Sequence, residues 1–161
     1  MSVPAIAFVA LGSNLGDRHA HLAAALAALA VLPGSRLLAT SATYETAPLG
    51  PPGQQDYLNA VAQLATELCP LTLLDSLLAI ERSRGRIRSE RWGSRTLDLD
   101  LLLHGDTTVH DSRLTLPHPA MLARAFVLTP LHDLAPALVL AGRSVAQHLA
   151  LLDRSGVRRL E

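Results

Sequence analysis

The chain contains no lysine; apart from seven histidines, every basic side chain among its 161 residues is arginine. A Walker A loop, which ends in Gly-Lys-Ser/Thr, is therefore excluded, although GSNLGDR near the N-terminus has the look of a phosphate loop. That stretch also lacks the three-glycine dinucleotide fingerprint and reads as a strand-to-helix turn. A single cysteine, Cys69, rules out an intramolecular disulfide and a cysteine-based zinc site, and it is expected simply to pack. Aromatic residues make up 3% of the chain, so a core must be assembled from Leu, Ala and Val. The five present, Phe8, Tyr44, Tyr57, Trp92 and Phe126, can be weighed one by one. Zero net charge argues against a general nucleic-acid binder. No apolar run reaches the roughly 20 residues a membrane helix needs, and no basic leader precedes the first apolar segment. A cytoplasmic protein is expected.

What the chain does have is hydrophobic content of 49%, enough for one domain, 1–161, with a sizeable core. Residues 3–11 predict a buried strand. Residues 18–32 predict a helix capped by Asp17 or Asn14 and closed by Pro33-Gly34, and 36–45 predict a strand. Segment 46–56 carries three prolines and two glycines and reads as a shaped loop. Alternation of Leu58, Ala60, Ala62 and Leu64 selects a strand over 57–67 despite its alanines. Pro70 opens an amphipathic helix over 71–84, with Leu73, Leu74, Leu77, Leu78 and Ile80 inward. A strand over 97–103, a short segment at 113–116, and helices near 120–135 and 144–152 complete the chain. The order strand–helix–strand–strand–helix–strand predicts an α+β fold of the split βαβ kind, a ferredoxin-like plait with helices on an antiparallel sheet.

The chemistry concentrates between Arg82 and Leu103. Six arginines (Arg82, Arg84, Arg86, Arg88, Arg91, Arg95) stand against one acid, Glu90, and lead into Asp98 and Asp100. Side chains at i and i+2 of a strand share a face, with Cα atoms about 6.5 Å apart. Leu97, Leu99 and Leu101 occupy the other face, so the aspartates belong to a central strand rather than an exposed edge. Two carboxylates so placed repel each other and resist desolvation, and a divalent metal relieves both problems. Guanidinium groups beside such a metal suit a polyphosphate, so a Mg²⁺-dependent enzyme acting on a nucleotide is expected. Gly85 and Gly93 suit the arginine stretch to a mobile lid. The alternative is a small RNA-binding plait using the Arg82–Arg95 loop, with Trp92 as a stacking platform. His118, between Pro117 and Pro119, is held where it can donate to a phosphate oxygen.

LGSNLGDR, TAPLGPPGQQDYLNAV, IERSRGRIRSERWGSRTLDLDLLLHG and LTLPHPAMLARAFVLTPLHDLAP occur in order between about Ile6 and about Pro136. Together they resemble the 6-hydroxymethyl-7,8-dihydropterin pyrophosphokinases of folate biosynthesis. The resemblance implies a ferredoxin-like plait that transfers the β,γ-pyrophosphoryl group of ATP to the hydroxymethyl oxygen of a reduced pterin, leaving AMP. It implies two Mg²⁺ ions held by Asp98 and Asp100. It implies a pterin stacked between Tyr57 and Phe126, read at its edge by Asn59 and by the backbone around Thr46, Ala47 and Leu49. ATP contacts are implied for Glu81, Arg88, Trp92, Leu101, Arg113, Thr115, His118 and Arg124, and catalytic loop contacts for Arg86 and Arg95. ATP and the pterin are the expected partners, with no nucleic acid or membrane, and the chain is expected to be a monomer. Pro119 replaces an aromatic residue of some members, and Ala47 stands where proline is common.

Overall fold

The computed structural model describes residues 3–47, 52–85 and 96–160. The elements, in order, are β1 (Ala5–Ser13), α1 (Arg18–Ala30), β2 (Ser35–Thr40), β3 (Tyr44–Thr46), β4 (Tyr57–Thr66), α2 (Pro70–Ser83) and β5 (Asp98–His104). There follow β6 (Val109–His110), β7 (Thr115–Leu116), a 3-10 turn (Met121–Ala123), α3 (Ala125–Leu134), β8 (Val139–Leu140), β9 (Arg143–Ser144), α4 (Val145–Ala150) and β10 (Val157–Arg159).

The main sheet runs β10-β3-β4-β1-β5, with β2 also paired to β4, and every pairing is antiparallel. This is the expected plait, and its central strands β1 and β4 bury successive residues, as burial on both faces requires; β5, expected to be a central strand, instead ends the sheet. Ala7, Val9 and Leu11 of β1 and Leu58, Ala62 and Leu64 of β4 turn to one face. There they meet Leu22, Ala25 and Leu29 of α1 and Leu73 and Leu77 of α2. Phe8 and Val61 turn to the other face, against Met121 and Val127, Leu128 and Leu131 of α3. Each fully buried leucine stabilises by about 2 kcal/mol, so packing on both faces holds the sheet between the two layers.

Local chemistry sets the helix ends. Asp17 caps α1 by accepting from the Ala20 amide at 3.0 Å. Pro70 occupies the first turn of α2, where its missing N–H costs nothing. Ser144 and Gln147 form a reciprocal capping box at α4.

Several sequence expectations change. β1 runs two residues further than 3–11, through Gly12 and Ser13, so the turn begins only at Asn14. The strand expected over 36–45 is two strands laid end to end against β4. At the break the Ser41 hydroxyl oxygen accepts from the Val61 amide at 2.8 Å and replaces a ladder bond. The helix expected over 120–135 is interrupted because Arg124 is extended, at φ −115°, ψ 103°. Cys69 is exposed, not packed, because it stands at the helix entry just outside the first buried turn. The hairpins β6–β7 and β8–β9 and the edge strand β10 were not anticipated.

Candidate active site

The register of the sheet assembles the site. Asp98 is the Cα partner of Gly12, Gly12 of Asn59, Asn59 of Tyr44, and Tyr44 of Arg159. One row across five strands therefore runs from a carboxylate to an amide with glycine between them. Asp100 pairs with Ala10 one step along, and Thr46 pairs with Tyr57 one step the other way. By strand alternation Asp98, Asp100, Gly12, Tyr44, Thr46, Tyr57 and Asn59 all turn to the α3 side of the sheet.

In the half-site formed by β3 and β4, Asn59 and Thr46 are both 7% exposed, so their polar atoms must find partners within the protein. Asn59 Nδ2 donates to Thr46 Oγ1 at 2.7 Å. That bond fixes the orientation of the amide. A Cβ built on Gly12 would lie 3.6 Å from Asn59 Oδ1 and 3.5 Å from a ring carbon of Tyr57. Gly12 is thus the bare floor between Asn59 and Asp98. It is a site residue that the sequence reading passed over as part of a turn, and its signal was a glycine continuing the apolar alternation of a strand. Tyr57 is half-buried, and so is Phe126 in the first turn of α3, beneath the Arg124 guanidinium at 5.7 Å from the ring centroid. Ala47 is exposed just beyond β3.

The second half-site is a cleft of about 590 Å³ between α2 and the β6–β7 hairpin. Asp100, Leu101, Arg113, Thr115 and His118 all line it, as do Leu74 and Leu78 of α2, so five of the residues singled out from sequence meet in one cavity. Its lining mixes leucines with charged and polar groups in about equal measure, which suits a flat heterocycle carrying a charged tail. Arg113 forms an ion pair with Asp75 at the exposed mouth. His118 is anchored by its amide, which donates to the Leu102 carbonyl at 2.9 Å. Its Nδ1 accepts from the Ala120 amide at 3.2 Å, which assigns the ring proton of the neutral form to Nε2. Burial pushes its pKa below the ordinary value and the nearby Arg124 charge pushes the same way, with Asp98 opposing.

Glu81 is 3% exposed and does not line this cleft. Its Oε2 instead accepts from the Leu99 amide at 2.7 Å, behind the aspartate strand. Leu49, Arg86, Arg88, Trp92 and Arg95 lie outside the described residues. Among the described residues no group of three or more His, Cys, Asp or Glu side chains gathers as a ready metal cage. Asp98 and Asp100 supply two hard oxygen donors from one strand face, both half-buried. That donor set matches Mg²⁺, which takes one or two carboxylates and completes its shell with substrate phosphates and water.

The model of the 7,8-dihydro-6-hydroxymethylpterin-pyrophosphokinase family matches residues 8–136. The 2-amino-4-hydroxy-6-hydroxymethyldihydropteridine pyrophosphokinase of Methylorubrum extorquens is 48% identical over 155 residues, covering 96% of this chain and 98% of that one. The protein of the same name from Pseudomonas aeruginosa is 51% identical over 154 residues, covering 95% of each. A crystal structure of HPPK-DHPS in complex with substrates aligns with a TM-score of 0.74 over 93% of this chain at 12% identity. Plasmodium falciparum HPPK-DHPS aligns with a TM-score of 0.72 over 92% at 14% identity. At those identities the likeness establishes the plait itself, and this chain spans under half of each of those longer chains, 43% and 44%. With most of its length matched by the family model and by relatives near half identity, the chain belongs to the 7,8-dihydro-6-hydroxymethylpterin-pyrophosphokinase family.

Proposed function

We propose that the two half-sites are the two substrate pockets of one pyrophosphoryl transfer. The enzyme is an ATP-dependent diphosphokinase that moves the pyrophosphoryl group of ATP to 6-hydroxymethyl-7,8-dihydropterin in folate biosynthesis. The single observation that carries the site-level reading is the cross-strand row. It sets Asp98 across Gly12 from Asn59, while Asp100, two residues on, lines the cleft. The phosphates of a nucleotide in the cleft and the hydroxymethyl arm of a pterin over Asn59 therefore converge on the same two carboxylates.

Each residue has a task that follows from its chemistry. Asn59, with its Nδ2 held by Thr46, presents Oδ1 toward the Gly12 floor, as an acceptor for an N–H on the pterin edge. Tyr57 and Phe126 offer faces for stacking. His118, neutral and with its proton on Nε2, donates to a phosphate oxygen, and Arg124 beside it offsets phosphate charge. Arg113 and Thr115 complete the polar wall of the cleft. Asp98 and Asp100 would hold Mg²⁺, two ions by the family resemblance. Mg²⁺ bound there neutralises phosphate charge and makes the pterin hydroxyl more acidic. Phosphate contacts from Arg86 and Arg95, and nucleotide contacts from Arg88 and Trp92, rest on the resemblance alone, as does the backbone contact of Leu49.

Both half-sites come from one polypeptide, which supports a single catalytic unit, 1–161, working as a monomer. Among the described residues no helix is long and apolar enough to cross a membrane, in keeping with a cytoplasmic enzyme. The RNA-binding alternative has no support in the comparisons, and the family match covers the arginine stretch itself. Incubation with ATP, Mg²⁺ and 6-hydroxymethyl-7,8-dihydropterin tests the proposal. AMP and the pterin diphosphate are expected in equal amounts. ADP, or AMP formed without the pterin, would overturn it.

A further inference from the structure

Behind the β3–β4 half-site lies an ionic cluster centred on Glu45. Arg18 NH1 is 2.8 Å from Glu45 Oε2 and donates to the Asp56 backbone carbonyl at 2.8 Å. Arg158 NH2 is 2.6 Å from Glu45 Oε1 and 3.2 Å from Asp56 Oδ2. Isolated surface ion pairs contribute little. This one differs in shelter, because the Glu45 and Arg18 side chains are only 17% and 20% exposed, while Arg158 is 62% exposed. It also differs in being a network with both Glu45 oxygens engaged and one arm ending on a backbone carbonyl.

The topology shows what the network holds. Glu45 is the Cα partner of Leu58, so it turns to the opposite face from Tyr44, Thr46, Tyr57 and Asn59. None of its charges can touch a ligand bound over Asn59. It joins instead the start of α1 at Arg18, the middle of β3, the residue before β4 at Asp56, and β10 at Arg158. β3 and β10 are three residues each, too short for ladder bonds alone to hold them rigidly. Asn14, just beyond β1, adds a further tie by donating to Gln54 Oε1 at 2.9 Å and to the Gln55 carbonyl at 3.2 Å.

We propose that Arg18, Glu45, Asp56 and Arg158 are positioning residues for the pterin, clamping β3 to β4 so that Thr46, Tyr57 and Asn59 hold a fixed spacing. The inference rests on the reading that those three residues bind the pterin. Its consequence is asymmetric between the two substrates. Weakening the clamp loosens the half-site built on β3 and β4 and leaves the cleft between α2 and β6–β7 untouched.

The test is steady-state kinetics of the full chain with each substrate varied in turn, for Glu45→Gln, Arg158→Ala, Arg158→Lys and the Glu45→Gln/Arg158→Ala double variant. The expected result for Glu45→Gln is a rise of about fivefold in KM for the pterin, the scale of a sheltered charge-assisted contact. KM for ATP and kcat should stay within about twofold of wild type. Arg158→Lys should restore most of what Arg158→Ala loses. The double variant should cost less than the sum of the two single changes, since both act on one network. An unchanged pterin KM, or equal rises for both substrates, would overturn the clamp. Were Glu45→Gln to fail to fold, the exposed Arg158 variants decide the matter by the same two constants. A wild-type chain with no pterin-dependent AMP would defeat the functional reading itself. An active wild type with indifferent variants defeats only the clamp.

Discussion

Glu81 Oε2 accepts a 2.7 Å hydrogen bond from the backbone amide of Leu99, the residue between Asp98 and Asp100. A carboxylate buried in α2 thereby helps orient the strand whose α3-side face carries both aspartates. Glu81→Ala leaves the Leu99 amide without this acceptor in a buried position, at a cost of about 2 kcal/mol. Glu81→Gln keeps an acceptor oxygen and should lose less than half as much. Urea unfolding of the three proteins reads this directly as a shift in midpoint at constant slope. Equal stability of Glu81→Ala and wild type would show that the bond orients nothing.

Gly12 gives a prediction in which stability and function separate. The nearest atoms to a Cβ at this position lie at 3.5 Å and beyond, which is ordinary contact. Gly12→Ala should therefore fold with a melting temperature within a few degrees of wild type. The methyl group would nevertheless stand between Asn59 and Asp98, where the pterin is proposed to lie. KM for the pterin should rise about tenfold, with KM for ATP nearly unchanged. Gly12→Leu should abolish pterin binding. Undiminished affinity in the alanine variant would move the pterin off this row.

Tyr44 predicts a response at high pH. Its hydroxyl donates to Asp133 Oδ2 at 2.7 Å, joining β3 to the later part of α3. Burial first, then the bond to Asp133 and its charge, push the phenol up to about 12, with Arg159 opposing. A raised folded pKa means that the stabilisation is complete below the ordinary value of 10 and is lost as pH climbs from there toward 12. With two tyrosines in the chain, absorbance of tyrosinate separates them. Wild type should show a late titration that disappears in Tyr44→Phe. That variant should be less stable by about 1 kcal/mol at pH 8, with the gap closing above pH 10. Two titrations both centred near 10 would contradict the assignment.

The elements of this fold were more legible than their neighbours. Strict alternation identified β4 against the helix propensity of its alanines, and leucines on one face of β5 placed both aspartates on the other. What alternation cannot carry is register, because pairing is decided by contacts distant in sequence. Nothing local says that Asp98 sits across Gly12 from Asn59. Gly12 itself was hidden because G-S-N-L-G-D has turn composition. The strand continues through it because its backbone pairs with Asn59 of β4 on one side and Asp98 of β5 on the other. The clamp was invisible for a similar reason. Arg18, Glu45 and Arg158 are ordinary charges in sequence, and β10, with two arginines in three residues, has no apolar pattern to announce it. Glu81 was singled out for an ATP contact, and its bond to the Leu99 amide, which ties α2 to the backbone of β5, has no local signature in the sequence.

Asp98 and Asp100 carry the proposal's sharpest consequence. They are near-isosteric with asparagine, so Asp98→Asn and Asp100→Asn keep side-chain volume while each removes one charge and replaces one acceptor oxygen with a donor nitrogen. Two hard anionic donors suit Mg²⁺, and one carboxylate with an amide is a much poorer set. AMP formation should fall about a thousandfold in either variant, with far-ultraviolet circular dichroism unchanged. A second readout needs no turnover. A non-hydrolysable ATP analogue with Mg²⁺ at about a hundred times its dissociation constant stabilises the protein by about 2.7 kcal/mol, if it binds only the folded state. Wild type should show that gain as a raised melting temperature, and EDTA should remove most of it. Neither variant should respond to Mg²⁺ beyond what the analogue achieves alone. Should both variants keep the full Mg²⁺-dependent shift, the metal is held elsewhere and the two aspartates serve only to shape β5.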